Sequence, residues 1–284
     1  MATAIVTDST SDIEPARAAE LGITVVPLFV LFGERGYKDY VELSRSEFYH
    51  KLQNESVLPI TSQPTAAMYE EAFKPLAEAG DDILCIAISS HLSGTMNAAR
   101  AGAERFPNAR ITIYDSESVA GGLGMMVLRA RELATGGASV PDIVAELDRW
   151  RATQRLYACI PDLSHLQRTG RIGKARAVLG TLMKIVPVLA LKDGQVGAEA
   201  QVRTFARAQD TMLDLLVAAA PDPASARFLV VHTNAPHLAA AAMGKLRDRL
   251  NGAVPKMLEI WEAGPVIATH AGAGAVGACV AQGA

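Results

Sequence analysis

The sequence predicts an α/β fold in two domains. Residues 1–154 form an N-terminal parallel-sheet α/β domain, and residues 155–284 a C-terminal α+β domain with a mixed, partly antiparallel sheet. Two observations predict this. In the first part, short apolar runs rich in β-formers alternate with segments of helical periodicity, the pattern of buried strands joined by crossover helices. Near residue 155 the rhythm changes, and two apolar runs are joined by Asp193-Gly194, a hairpin signal. Half of the residues are apolar, a fifth are charged and the formal net charge is −3. This composition suits a sizeable core and disfavours a nucleic-acid binder, which carries a basic excess.

In chain order, residues 4–6 read as a short buried strand ending in the polar run 7–12. Residues 24–32 read as one continuous β-rich apolar run, and 33–36 as a hairpin-like turn leading to 37–41. Ser44 and Glu47 have capping-box spacing and open a helix through Leu52. Thr65 starts an amphipathic helix with Met68, Ala72, Phe73 and Leu76 on one face. Strands follow at 82–88 and 110–114, and helices at 96–106, 119–133 and 141–153. The second domain reads as strands at 157–160, 185–191, 196–202, 228–232, 257–261 and 266–269, with helices at 206–218 and 236–250.

Ligands of parallel sheets sit at the carboxyl ends of the strands. Three such ends, 8–11, 89–95 and 115–118, are rich in hydroxyls and carboxylates and are expected to converge. The run Ser89-Ser90-His91-Leu92-Ser93-Gly94-Thr95 opens a helix, so its hydroxyls and N–H groups suit an anion. Phosphate, oxyanion and carboxylate all remain open from these residues. Leu92-Ser93-Gly94 lacks the glycine two places before the serine that a nucleophile elbow needs, and the GxxxxGK[ST] phosphate loop is absent. Residues 61–65, Thr-Ser-Gln-Pro-Thr, form a second hydroxyl cluster in a capped loop. Residues 166–176 form a basic segment punctuated by Gly170 and Gly173 and leading into an apolar helix; it suits an acidic partner or, in isolation, nucleic acid. His270 follows the expected strand 266–269 and precedes a glycine-rich loop.

Cys85, Cys159 and Cys279 are far apart in apolar runs, as expected of buried free thiols, with no CxxC pair for zinc or redox chemistry. No basic leader precedes the first apolar run. The longest apolar candidate, 177–191, is broken by Lys184 and Pro187, whereas a membrane span takes roughly 20 apolar residues. A cytoplasmic protein is expected.

Seven motifs occur in order along nearly the whole chain: 6–12 (Val-Thr-Asp-Ser-Thr-Ser-Asp), 61–64 (Thr-Ser-Gln-Pro), 90–95 (Ser-His-Leu-Ser-Gly-Thr), 114–116 (Tyr-Asp-Ser), 170–172 (Gly-Arg-Ile), 202–204 (Val-Arg-Thr) and 264–267 (Gly-Pro-Val-Ile) with Thr269-His270. Together they resemble the DegV family of bacterial fatty-acid-binding proteins. One departure is 271–274, Ala-Gly-Ala-Gly in place of the more usual Thr-Gly-Pro-Gly, which predicts a more mobile loop.

The resemblance implies a non-catalytic carrier with no cofactor and no metal. It implies one long-chain fatty acid, such as palmitate, in a tunnel between the two domains. The first domain would bring Thr61 and Ser93 to the head group, and the second His270 and the acyl-chain tunnel. A separate fatty acid kinase would phosphorylate the acid to an acyl phosphate for phospholipid synthesis, with transient contact to a membrane-associated acyltransferase. The carboxylate contacts map to Thr61, Ser62, Ser93 and His270, and kinase docking to Arg203, with Arg171 and Arg176. A protonated His270 would balance the carboxylate charge. Two other readings compete. One is a serine hydrolase or phosphotransfer enzyme with Ser93 as nucleophile, His270 as base and Asp8 or Asp115 as orienter. The other is a DNA-associated regulator using 168–176, which the net charge disfavours.

Overall fold

A computed structural model describes residues 2–178 and 185–283. The chain divides into two compact units, Met1–Arg151 with Gly264–Val266, and Ala152–Ala263 with Ile267–Ala284. Relative to the expected division at 154/155, the first unit also takes back Gly264–Val266 from within the stretch 155–284.

The first unit contains β1 (Thr3–Asp8), β2 (Ile23–Val26), β3 (Phe29–Phe32), β4 (Arg35–Lys38), β5 (Ile60–Ser62), β6 (Asp82–Ala87) and β7 (Ile111–Asp115). Strands β2-β1-β6-β7 form a parallel sheet, and β4-β3-β5 a small antiparallel one. The run 24–32 is therefore not continuous, because it supplies one strand to each sheet. Pro27 has no N–H for a ladder, and the next N–H, of Leu28, donates to Ser9 Oγ at 3.0 Å. Helices Ala66–Glu78 and Thr95–Ala103 cover one face, burying Tyr69, Phe73, Ala98 and Ala99 against Val6, Ile83 and Cys85. The two helices meet at Gly102, where a Cβ would lie 2.7 Å from Tyr69 Cβ and 2.8 Å from the Ala66 carbonyl oxygen. Helix Ala120–Thr135 packs on β1 and β6. The capping box forms as expected, with Ser44 and Glu47 satisfying each other's backbone N–H groups.

The second unit contains β8 (Arg155–Cys159), β9 (Val186–Lys192), β10 (Gln195–Val202), β11 (Ala226–His232), β12 (Met257–Glu262) and β13 (Val276–Gln282). They form one sheet in the order β10-β9-β8-β13-β11-β12, antiparallel except for β11 with β12. The β9–β10 turn places both Asp193 (φ 51°) and Gly194 (φ 71°) in the left-handed region, as a type I′ hairpin requires. Helices Phe205–Ala218 and Pro236–Arg249 bury Met212, Leu213, Leu216, Met243 and Leu246 against Phe228, Val230, Ala278 and Val280.

Two expectations are corrected here. The expected strand 266–269 is part of the helix Pro265–Ala271, with Pro265 in its first turn, where a missing N–H costs nothing. In its place, 276–282 enters the middle of the sheet as β13. The basic segment runs through a short helix, Ser164–Arg168, into a 3-10 turn, Gly173–Val178. The apolar helix expected after Arg176 falls largely on 179–184, outside the described residues. All three cysteines are buried and none is in a disulfide. Among the described residues no helix is long and apolar enough to cross a membrane, and no group of His, Cys, Asp and Glu could hold a metal ion.

Candidate functional site

In the first unit, the three polar strand ends are bonded to one another. At the end of β1, Asp8 accepts the Ile88 N–H at 2.8 Å and the Thr10 N–H at 3.0 Å. At the end of β6, the Ser89 N–H donates to the Ser118 carbonyl at 2.9 Å and the Ser90 N–H to Asp115. The hydroxyls of 9–11 are buried, and those of Ser9 and Thr10 are engaged within the fold. These bonds brace the turn.

Ser93 is half-buried in the turn that opens helix Thr95–Ala103. Gly94 is the N-cap, while Ser93 Oγ accepts the Thr95 N–H at 3.3 Å and lies 2.8 Å from Thr95 Oγ1. The second hydroxyl cluster is less loop-like than expected. Thr61 and Ser62 belong to β5, paired with Val30 and Phe29. Thr61 is half-buried, Ser62 is exposed, and Thr65 caps the next helix through the Met68 N–H.

The two clusters touch through a residue the sequence does not single out. The Gln63 carboxamide lies so close to Gly94 that a Cβ there would sit 2.0 Å from Gln63 Oε1. Only a residue without a side chain admits that approach. Gly94→Ala is therefore expected to expel the Gln63 carboxamide, shifting its side-chain amide resonance. The protein's stability should change by only about 0.5 kcal/mol, because just the end of a flexible side chain moves. Thermal unfolding and NMR check the two halves of that outcome.

In the second unit, His270 lies in the last turn of helix Pro265–Ala271, not after a strand. Its Nδ1 is 2.8 Å from Thr169 Oγ1. The Thr169 hydroxyl lies 2.8 Å from the His165 carbonyl oxygen and donates its single proton there. Burial, with the nearby charges of Arg171, Arg168 and His165, holds His270 down to about 3. The imidazole is thus neutral near pH 7 in this environment. Positive charge in this region comes from Arg168 and Arg171, the latter donating to the Thr169 carbonyl at 2.6 Å.

The loop 271–274 lacks the usual proline but is tied down. Thr233 Oγ1 donates to the Gly272 carbonyl at 2.6 Å, and the Gly274 and Ala275 N–H groups donate to Thr233 at 2.7 and 3.0 Å. Gly272 and Gly274 supply the positive φ values, and the His165 ring fills the space beside Gly272. The 3-10 turn carrying Arg176 packs along β10, with Gly173 against the Val196 carbonyl. Arg203 is exposed just beyond the end of β10.

A family model described as an uncharacterised protein of the DegV family matches residues 2–283. A DegV domain-containing protein of Halalkalibacterium halodurans is 37% identical over 276 residues, 96% of each chain. The protein DegV of Bacillus subtilis is 34% identical over 279 residues, 97% of this chain and 98% of its own. Among solved structures, a fatty-acid-binding DegV family protein from Thermus thermophilus superposes with a TM-score of 0.93 at 34% identity, covering 99% of this chain and 100% of that one. DegV from Bacillus subtilis, a fatty acid binding protein, superposes with a TM-score of 0.90 at 32% identity over the whole of both chains. A stearic-acid-binding protein from Eubacterium ventriosum does so at 0.89 and 25%, covering 98% of this chain and 97% of its own. From its first strand to its last, this chain belongs to the DegV family.

Proposed function

We propose that this protein is a non-catalytic carrier, working in the cytoplasm, that holds one long-chain fatty acid in a tunnel between its domains. It presents the carboxyl group to a separate fatty acid kinase, which forms the acyl phosphate used in phospholipid synthesis. A membrane-associated acyltransferase is then met transiently. The observation that carries this reading is full-length similarity, at above 30% identity, to two fatty-acid-binding proteins. Thr61, Ser62 and Ser93 offer hydroxyls to the carboxyl group. His270 joins them as a hydrogen-bonding partner of the carboxyl group. Burying ~14 methylenes contributes on the order of 11 kcal/mol gross, so the polar groups mainly orient the head group and offset its desolvation. Arg203, with Arg171 and Arg176, forms the kinase-docking side.

Mass spectrometry of the purified, denatured protein is expected to find about one equivalent of fatty acid per chain. A lipid-free protein that also refuses palmitate and oleate contradicts the reading. Ser93→Ala and Thr61→Ala are expected each to weaken retention roughly tenfold, the worth of one hydrogen bond to a carboxyl group. Arg203→Glu is expected to leave lipid content intact and to slow turnover by the kinase. Loss of lipid in that variant argues against a docking role.

The competing hydrolase reading needs an imidazole bridged to a carboxylate. His270 Nδ1 is instead bonded to Thr169. Asp8 is enclosed by Thr10 and Ile88, and Asp115 accepts from Ser90 and Glu117.

A further inference from the structure

The first unit contains a buried polar network that the carrier role leaves unused. Asp12 is 2% exposed and holds a left-handed backbone at φ 55°. Its Oδ1 accepts the Gly264 N–H at 2.8 Å, and Oδ2 has no hydrogen-bond partner. Beside it, Tyr40 also holds a left-handed backbone at φ 61°, a costly state for a bulky residue that packing must maintain. The Tyr40 ring occupies the space over Gly264, where a Cβ would lie 2.6 Å from ring Cε2. Arg45 donates to the Tyr40 hydroxyl at 3.0 Å, stacks over its ring and pairs with Glu14. The buried Asp39 stands near Arg45 and the Val266 N–H.

What this network grips is the start of one helix. Gly264, Pro265 and Val266 are buried, and helix Pro265–Ala271 begins there and carries His270 in its last turn. Val266 and His270 are four residues apart, about one helical turn and ~6 Å of rise. The Gly264 N–H thus stands less than two helical turns before the imidazole along the same short helix.

We propose that Asp12 is a positioning residue for His270, its Oδ1 seating the first turn of the helix that carries the imidazole. This rests on the carrier reading, in which His270 meets the fatty acid.

The test is a double-mutant cycle on the full chain, read as palmitate affinity. Asp12→Ala is expected to weaken palmitate binding about tenfold, the worth of one buried hydrogen bond. Asp12→Asn keeps a carbonyl acceptor for the Gly264 N–H and is expected to stay near wild type. In a His270→Ala background, Asp12→Ala should add no further loss. An equal loss in both backgrounds marks a merely structural role and overturns the proposal, as does a His270→Ala variant of unchanged affinity. Should Asp12→Ala not fold, Gly264→Ala disturbs the same turn from the Tyr40 side and takes its place in the cycle. If the wild type binds no palmitate, the carrier reading fails, and the His270 imidazole ¹⁵N resonances decide the positioning role alone. They should shift in Asp12→Ala and return in Asp12→Asn; unshifted resonances overturn it.

Discussion

Asp8→Ala is expected to destabilise the first domain by roughly 3–5 kcal/mol, the cost of leaving three enclosed donors without their acceptor. Asp8 is 0% exposed and its two oxygens serve the Ile88 N–H, the Thr10 N–H and the Thr10 hydroxyl. Alanine leaves those donors enclosed without water to replace the carboxyl. The Ile88 N–H begins the segment that leads to Ser93, so the same substitution should loosen the hydroxyl turn. Asp8→Asn keeps one acceptor oxygen but sets an NH₂ group against a donor, and should fall between. Urea unfolding measures the difference; a loss below 1 kcal/mol for alanine would show that water reaches the site.

Opposite pH responses are expected in the two domains. His270 sits at about 3 in the fold against an ordinary 6.5, because burial and neighbouring cations keep it neutral. Its contribution is present above pH 6.5 and lost as pH falls toward 3, because the unfolded chain binds the proton first. Asp39, in the other domain, is pushed up to about 7 from 3.8, by burial. Its contribution is present below pH 3.8 and lost as pH rises through 7. Burial raises Asp8 and Asp12 as well, so they add to the Asp39 side. Each group can contribute up to about 1.4 kcal/mol per pH unit.

Between pH 4 and 6.5, acidification should therefore loosen the second domain and tighten the first. Hydrogen-exchange protection, corrected for the intrinsic rate, reads each domain separately. His270→Gln should flatten the response of β8–β13, and Asp39→Asn that of β1–β7. A response of one sign throughout the chain contradicts the assignment.

The elements that were legible in the sequence are those whose local chemistry decides them. The apolar runs of β1, β6 and β7, the Ser44–Glu47 box and the Asp193-Gly194 turn carry their structure within a few residues. Two elements are not local. The run Val266-Ile267-Ala268 is too short for periodicity to separate a buried strand from a buried helix. Strand β13 is built of Gly, Ala and Cys with few β-formers, because its place is crowded. A Cβ on Gly277 would lie 3.1 Å from the Tyr157 carbonyl oxygen. Small residues there satisfy close neighbours, not strand propensity.

The site divides in the same way. Thr61 and Ser93 stand out as hydroxyls beside helix starts. Gln63 does not, because its closeness to Gly94 joins positions 31 apart. The charge state of His270 does not either. Burial lowers its pKa, and the groups that add to this, Arg168 and Arg171, stand with its hydrogen-bond partner Thr169 about a hundred residues upstream.

The order of the second sheet has a consequence for synthesis on the ribosome. The strand at its middle, β13, pairs with β8 and β11, both made earlier, so neither half of that sheet can join the other until residue 282 has emerged. The first domain waits as well, because the peptide that covers Asp12 is 264–266. One late stretch, 264–282, thus completes both folding units. They should become protease-resistant together, after most of the chain is made, and not one after the other in order of translation.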